Sequence, residues 1–375
     1  MKDHEREAMG EAIDRFINVP MSTQVPLYKN RAMTLDLYDA ARAHVGAPLA
    51  LRAAEALIGR VKAGDVVLFT TGFIIPPWLS GETDGPIGAA ALARTIALAF
   101  DATPVFVVED LFKPMVVETC RAAGLTPATP ENARGIPLRF SVVPFPYELE
   151  PARREARRLL DEFRPSALVS IERPGWNEKG VYHPGAGIDI SPVVAKLDCL
   201  FEEARSRGIL TLGFGDHGGE IGFGAIHDAC KRILPLGTRC YCPCESGTAA
   251  ATGVDVLVVS APPSNRGANA VQACLAVLLE HPELLHDAAL ERRMAESCAA
   301  AGAIDSTSGL VGIDSDRIPL HLSAAMIEML HEIVRPNLPP DFFKQKHAQY
   351  RATGLQMMQE VVNRHAASLR AAGGV

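Results

Sequence analysis

The feature that most constrains the fold is an alternation repeated along most of the chain, in which a short apolar run leads into a helical stretch and then another run. The runs are Asp65–Thr70, Pro104–Val108, Leu138–Val143, Ala167–Ile171, Gly208–Leu212 and Val254–Ser260. They are continuous and β-rich rather than alternating, the pattern of strands buried on both faces. Between them lie an alanine-rich helix opened by Pro86 and ending near Phe100, and helical stretches near 112–123, 150–163, 192–207 and 225–234. Two more follow at 266–280 and 286–302. Strand–helix units of this length imply right-handed crossovers and a mainly parallel sheet covered on both faces. The expectation over residues 63–335 is therefore an α/β, Rossmann-like, doubly wound domain.

Helical segments flank this series. Residues 1–62 read as a segment packed on the core. Met9, Ala12, Ile13, Phe16 and Ile17 lie on one helix face, and a second helical region at 34–60 is interrupted by Pro48. Residues 303–318 read as loop with a short strand, and 319–334 as helix. Within 336–375 an amphipathic C-terminal helix sets Tyr350, Leu355, Met358, Val362 and Leu369 roughly on one side. Folding back on the core and pairing in a homodimer are both open for that face.

Charge and composition exclude several classes. The chain has 375 residues, 48% hydrophobic content and a formal net charge of −7, enough to bury one large core or two modest ones. An isoelectric point near 5.9 with no basic run argues against a nucleic-acid partner. The longest apolar stretches fall far short of the roughly 20 residues that span a bilayer. The first residues are charged, with no apolar signal core and too much acid for a transit peptide. The expectation is a soluble cytoplasmic protein without a membrane partner.

One stretch after the run at Gly208–Leu212 is unusual. From Gly213 to Gly224 there are six glycines in twelve residues, with Asp216 and Glu220 among them. Such a backbone turns tightly and comes close to something. Gly213, Gly215 and Gly218 fit the dinucleotide fingerprint, but Asp216 and Glu220 would repel a pyrophosphate. The glycines continue through Gly222 and Gly224, poor material for a helix's first turns, and no acid stands about 20 residues on. A glycine-rich turn with solvated acids is the plainer alternative.

The eight cysteines read as reduced thiols rather than a disulfide framework. Cys240, Cys242 and Cys244 form the one cluster. On a strand their alternation would place three sulfurs on one face, close enough for a soft metal. A closed zinc site takes four ligands, usually in C-x-x-C pairs, and the sequence offers no second pair.

Four loops follow strand ends, so one edge of the sheet can collect them. The first runs from Thr71 and Gly72 through Glu82, Thr83 and Asp84 to Pro86. The second is Glu172-Arg173-Pro174-Gly175, continuing to Tyr182 and Asp189. The third is the glycine loop, with Gly215, Asp216 and Glu220. The fourth runs from Pro262 to Gly267, with Asn265 and Arg266. They supply carboxylates, hydroxyls and two arginines, whose planar forks suit a substrate carboxylate. Each residue also has a plainer role. Arg173 can pair with Glu172 or Asp189 at the surface, Asp84 can cap the helix behind Pro86, and Asn265 can cap the helix that follows it. Tyr182, His183 and His217 can be loop packing.

The same loops carry a resemblance. Thr71-Gly72-Phe73, Glu82-Thr83-Asp84-Gly85-Pro86, Ile171-Glu172-Arg173, Gly215-Asp216, Glu220 with Gly222 and Gly224, Ser264-Asn265 with Gly267, and Ser308-Gly309 with Gly312 occur in order. In this series the chain resembles the carboxyl-terminal domain of the D-glutamate cyclase family over about residues 66–325. It departs from the family's pattern at His217-Gly218-Gly219, at Arg266, where tryptophan is frequent, and in carrying the Cys240–Cys244 cluster. The larger hydro-lyase-like domain that precedes this one in some relatives has no counterpart in the sequence.

The resemblance implies a hydro-lyase that converts D-glutamate, or a related acidic amino acid, to 5-oxo-D-proline and water. That chemistry needs an ionised base, a proton donor and groups that hold carboxylates. Ring closure is intramolecular, so it requires no cofactor in principle. Two carboxylates in one site separate in pKa, which makes Asp216 and Glu220 the acid–base pair, with Glu82 and Asp84 in reserve. Arg173, Arg266, Thr83 and Asn265 would hold the substrate, with Thr71, Gly72, Glu172, Tyr182 and Gly215 around it. Two alternatives stand beside this. Glu82, Asp84, Asp216 and Glu220 can gather around Mg²⁺ or Mn²⁺ to act on another small carboxylic acid, or the chain can be a non-catalytic binder or sensor of an acidic metabolite.

Overall fold

The computed structural model describes residues 2–21 and 32–338, together with parts of 354–370. Its strands are β1 (Val66–Thr71), β2 (Ile74–Ile75), β3 (Ser80–Gly81), β4 (Thr103–Val108) and β5 (Thr126–Pro127), followed by β6 (Arg139–Pro144), β7 (Ala167–Ile171), β8 (Leu210–Gly215) and β9 (Val256–Val259). β2 and β3 form a small antiparallel ladder. The other seven make one parallel sheet in the order β5-β6-β4-β1-β7-β8-β9. Leaving aside the two-residue edge strand β5, the main strands lie third-second-first-fourth-fifth-sixth. This is the Rossmann order, with its direction reversing between β1 and β7.

The helices before the sheet are α1 (Asp3–Ile17), α2 (Ala32–Val45) and α3 (Leu49–Arg60). Between strands come α4 (Pro86–Phe100), α5 (Lys113–Ala122), α6 (Pro130–Ala133), α7 (Leu149–Phe163), α8 (Asp198–Ser206) and α9 (His227–Ile233). After β9 come α10 (Asn265–Leu278), α11 (Ala288–Ala300) and α12 (Leu320–Val334). With right-handed crossovers, the reversal of strand order puts α4 and α5 on one face and α7 and α8 on the other. The contacts between α4 and α5, and between α7 and α8, fit that arrangement. Every residue of β1, β4, β7, β8 and β9 is buried, as double coverage requires. Phe69 of β1 stacks on Phe106 of β4 with centroids 5.2 Å apart, and Phe140 meets Phe106 edge-on at 6.1 Å. Such ring pairs add about 0.5–1.5 kcal/mol each beyond their burial.

The N-terminal helices close one side, α1 lying on α3, α10 and α12. Asp14 of α1 anchors them, because its carboxylate accepts hydrogen bonds from Leu49 N and Ala50 N at the start of α3. No helix among the described residues is long and apolar enough to cross a membrane.

Several expectations shift. The helix expected over 192–207 begins only at Asp198, with a single 3₁₀ turn at Ser191–Val193 before it. The strand expected to end at Leu212 continues to Gly215. Gly213 can stay in it because its bare α-carbon lets the returning loop pack close. A Cβ there would stand 2.6 Å from the Ile221 carbonyl. The 303–318 segment contains isolated bridges rather than a strand. Of the C-terminal stripe, Tyr350, Leu355, Met358 and Leu369 lie outside the described residues, and Val362 is exposed.

Candidate active site

The strand order reverses between β1 and β7, and their carboxyl ends lie level, with Thr71 paired to Ile171. A crevice opens there, as parallel sheets dictate. It forms a cavity of about 400 Å³, a size for a small metabolite. Phe73, Ile75, Trp78, Leu234 and Leu236 supply its apolar walls. Its polar lining includes Glu82, Glu172, Glu220 and Asp316, with His183, His217 and Arg317 as the basic groups and Ser306, Thr307 and Thr248 as hydroxyls.

These carboxylates are buried in different surroundings. Burial raises the Glu220 carboxyl overall, and the His217 side chain and the backbone of the Glu220–His217–Gly218 turn offset part of that rise. One of those bonds runs from His217 N to Glu220 Oε1 at 3.1 Å. Gly215 makes the space, since a Cβ at that position would lie 3.0 Å from the Glu220 carboxyl and 2.6 Å from the Phe223 ring. Glu82 has no such relief. Burial, then Asp316, Glu172, Asp84 and Asp216, hold its carboxyl well above the usual range, which favours the protonated form.

Glu172 is pushed well up by burial and by Asp216 and Glu220, while its Oε2 accepts a 2.6 Å hydrogen bond from the Ser264 hydroxyl. Its backbone is left-handed, with φ 46°, a strained conformation for a glutamate. Asp216 lies behind the cavity wall, fully buried, in contact with His217 Nδ1. Burial, Asp84, Asp316 and Glu220 raise its carboxyl, and Arg266 opposes them.

Two helix N-termini point into this region, and the acids and amides are shared between them. Asp84 accepts from Ser264 N at 2.7 Å and Asn265 N at 3.1 Å, so it sits on the start of α10. Asn265 Oδ1 accepts from Gly85 N at 3.0 Å and Gly88 N at 2.7 Å, so it sits on the start of α4. The capping suspected for both residues is present, but each caps the other's helix. The Asp84 carboxyl still rises to about 8, because burial and Asp316 outweigh its backbone hydrogen bonds.

A sequence-family model described as D-glutamate cyclase-like, C-terminal, matches residues 32–331. The chain belongs to the D-glutamate cyclase-like family. A curated relative, the mitochondrial D-glutamate cyclase of Homo sapiens, is 28% identical over 303 residues, covering 72% of this chain and 45% of that protein. The chain thus spans less than half the length of that relative.

In this D-glutamate cyclase-like chain the expected site residues separate into groups. Glu82, Glu172 and Glu220 line the cavity, and Asp84 and Asp216 stand behind them. Arg266 is buried behind as well, its Nη1 donating to Val19 O. Burial lowers it to about 10 while Asp216, Asp84 and Asp316 draw it up, so it remains a cation facing the acids.

The rest serve the frame. Arg173 does not line the cavity. Its guanidinium is gripped by both oxygens of Glu109 and donates also to the Ala195 and Gly72 carbonyls. A wholly buried guanidinium demands a carboxylate, and Glu109, just past β4, provides it in place of Glu172 or Asp189. Tyr182 is buried with its hydroxyl on Asp198. The Thr83 hydroxyl donates to Asp314 O at 2.8 Å. Thr71 lies under Gly85, and Gly72 leaves room for the Phe112 ring.

The lining residues not anticipated include Thr248, Leu234 and Leu236 and, from the 303–318 loop, Ser306, Thr307, Asp316 and Arg317. The family-like Ser308-Gly309 pair was the signal that this loop belonged to the site. Candidate ligand atoms of Asp84, Asp216 and Asp316 lie within 4.8 Å of one another, and those of Asp216, His217 and Glu220 form a second such group, so of the four acids expected around an ion Glu82 joins neither.

Proposed function

We propose that this cavity closes an acidic amino acid into a lactam, with D-glutamate as substrate and 5-oxo-D-proline and water as products. The observation that carries the proposal is the pairing of Glu220 and Glu82 in one cavity: burial raises both carboxyls, but His217 and backbone amides pull Glu220 back towards ionisation, whereas neighbouring acids push Glu82 further up. Glu220 takes a proton from the substrate's α-ammonium, and the freed amine attacks the side-chain carboxyl carbon. Two protons leave the nitrogen in all, and one carboxyl oxygen departs with two protons as water. Glu82 delivers one of those protons to the oxygen, Glu220 returns to it the proton it took from the ammonium, and the second nitrogen proton restores Glu82. The acid-rich lining receives the ammonium, while Arg317 and His217 hold the substrate's carboxylates. Because the reacting atoms belong to one molecule, holding the substrate folded supplies much of the rate. The family membership and the human relative's name support the substrate class.

A second reading rests on Asp84, Asp216 and Asp316, whose clustered oxygens suit Mg²⁺ or Mn²⁺. Such an ion would polarise the carboxyl under attack.

Incubating the protein with D- or L-glutamate and following loss of one water by mass tests the proposal. Parallel samples with EDTA, and with Mg²⁺ or Mn²⁺ restored, separate the two readings. Ring product from D-glutamate in EDTA supports the metal-free scheme, and product only after metal is restored supports the second. Binding without any ring product would show a sensor rather than an enzyme.

A further inference from the structure

The Cys240–Cys244 cluster is not used by the chemistry above, and the structure gives it a fourth member. Residues 240–244 lie in turns rather than in a strand, so the sulfurs converge by curling of the chain instead of by sharing a strand face. Cys240 Sγ is 3.3 Å from both Cys242 Sγ and Cys244 Sγ. His183, from the loop after β7, brings its Nε2 to 3.2 Å from Cys242 Sγ and 3.6 Å from Cys244 Sγ. All four candidate ligand atoms fall within 4.8 Å of one another.

We propose that His183, Cys240, Cys242 and Cys244 form a closed, tetrahedral zinc site. With zinc–sulfur bonds of about 2.3 Å and a zinc–nitrogen bond of about 2.0–2.1 Å, the ligand atoms of a tetrahedron stand roughly 3.5–3.8 Å apart. The four distances given above lie within about half an ångström of those edges, and the remaining two are under 4.8 Å. Three thiolates with one imidazole select zinc over the hard cations that carboxylates attract. Supporting bonds are present too. Cys244 N donates to Cys242 Sγ, and Asn177 Nδ2 to Cys244 Sγ, each at 3.4 Å. N–H groups aimed at sulfur hold thiolate ligands in place and offset their charge. Asn177 also donates to Gly247 O at 2.8 Å, tying the cluster to the loop that carries Thr248.

Four protein ligands leave no position for substrate, so the site is structural. It joins the loop after β7, with His183 and Pro184 on the cavity, to the loop carrying Leu236 and Thr248 on the same cavity. Tyr241 N already donates to Gly187 O across this seam at 3.0 Å. On binding, the three thiols release their protons to solvent and the imidazole coordinates as the neutral base.

The test is elemental analysis of the full chain purified under reducing conditions from zinc-containing medium. About one zinc per chain is expected, with replacement by Co²⁺ giving the intense visible bands of a tetrahedral thiolate site. His183→Ala and Cys242→Ser should lower the zinc content roughly tenfold or more, while Cys120→Ala, within α5, leaves it unchanged. Should those variants fail to fold, the wild-type chain still decides. Alkylation followed by peptide mapping should label Cys240, Cys242 and Cys244 only after a strong chelator is added. Negligible zinc in the wild type would overturn the proposal, as would equal labelling with and without chelator or a disulfide among the three cysteines.

Discussion

Asp84 and Asn265 cap each other's helices, the carboxylate of one on the first amides of α10 and the amide oxygen of the other on the first amides of α4. The exchange locks the loop after β1 to the loop after β9, and both helix N-termini face the buried acids. Asn265→Ala removes the cap of α4 and leaves Gly88 N without its acceptor. A loss of about 1–2 kcal/mol is expected by urea denaturation. Asn265→Asp, which keeps an acceptor for both amides, should recover part of that loss. If Asn265→Ala were as stable as wild type, the capping account would be wrong.

Arg173 and Glu109 form a second fixed point, fully buried and paired through both terminal guanidinium nitrogens, Nη1 and Nη2. Removing one partner strands the other charge. Glu109→Ala should cost about 3–5 kcal/mol, while an apolar pair, Glu109→Leu with Arg173→Met, should cost much less. Denaturation of the single and double variants measures the difference. An undiminished cost in the double variant would contradict this account.

The buried acids also set a pH dependence. Glu82 and Asp84 are held above their usual values, Asp84 at about 8, first by burial and then by neighbouring carboxylates. In the unfolded chain such groups lose their protons near pH 4. From about pH 4 to 8 the folded state therefore binds more protons, and stability falls as pH rises. The melting temperature should drop between pH 6 and pH 8, and less steeply in Glu82→Gln. Equal slopes in wild type and variant would remove Glu82 from the cause.

Much of the fold was legible in the sequence because doubly buried strands leave unbroken apolar runs and Pro86 marks a helix start. The strand β5, the turn of helix α6 and the β2–β3 ladder were not, since elements of two to four residues carry no period. In the site, glycine density marked the loop bearing Asp216 and Glu220. Arginine roles were harder to read. Arg173 and Arg266 both follow strand ends, and only the fold shows that Glu109 occupies one while three aspartates surround the other. Ser308-Gly309 pointed to the loop of Asp316 and Arg317, but these two residues were hidden because the stretch has no periodicity to say which side chains turn inward. The link between His183 and the cysteines was hidden because they lie more than fifty residues apart, His183 and Cys242 at a separation of 59.

The central claim is that Glu220 and Glu82 act on an acidic amino acid held between them. The most direct measurement is the rate of ring closure of D-glutamate by the wild-type chain, Glu220→Gln and Glu82→Gln, each verified as folded. The account predicts turnover by the wild type and a loss of roughly 10²–10⁴-fold in each variant. Turnover that survives both substitutions unchanged would contradict it.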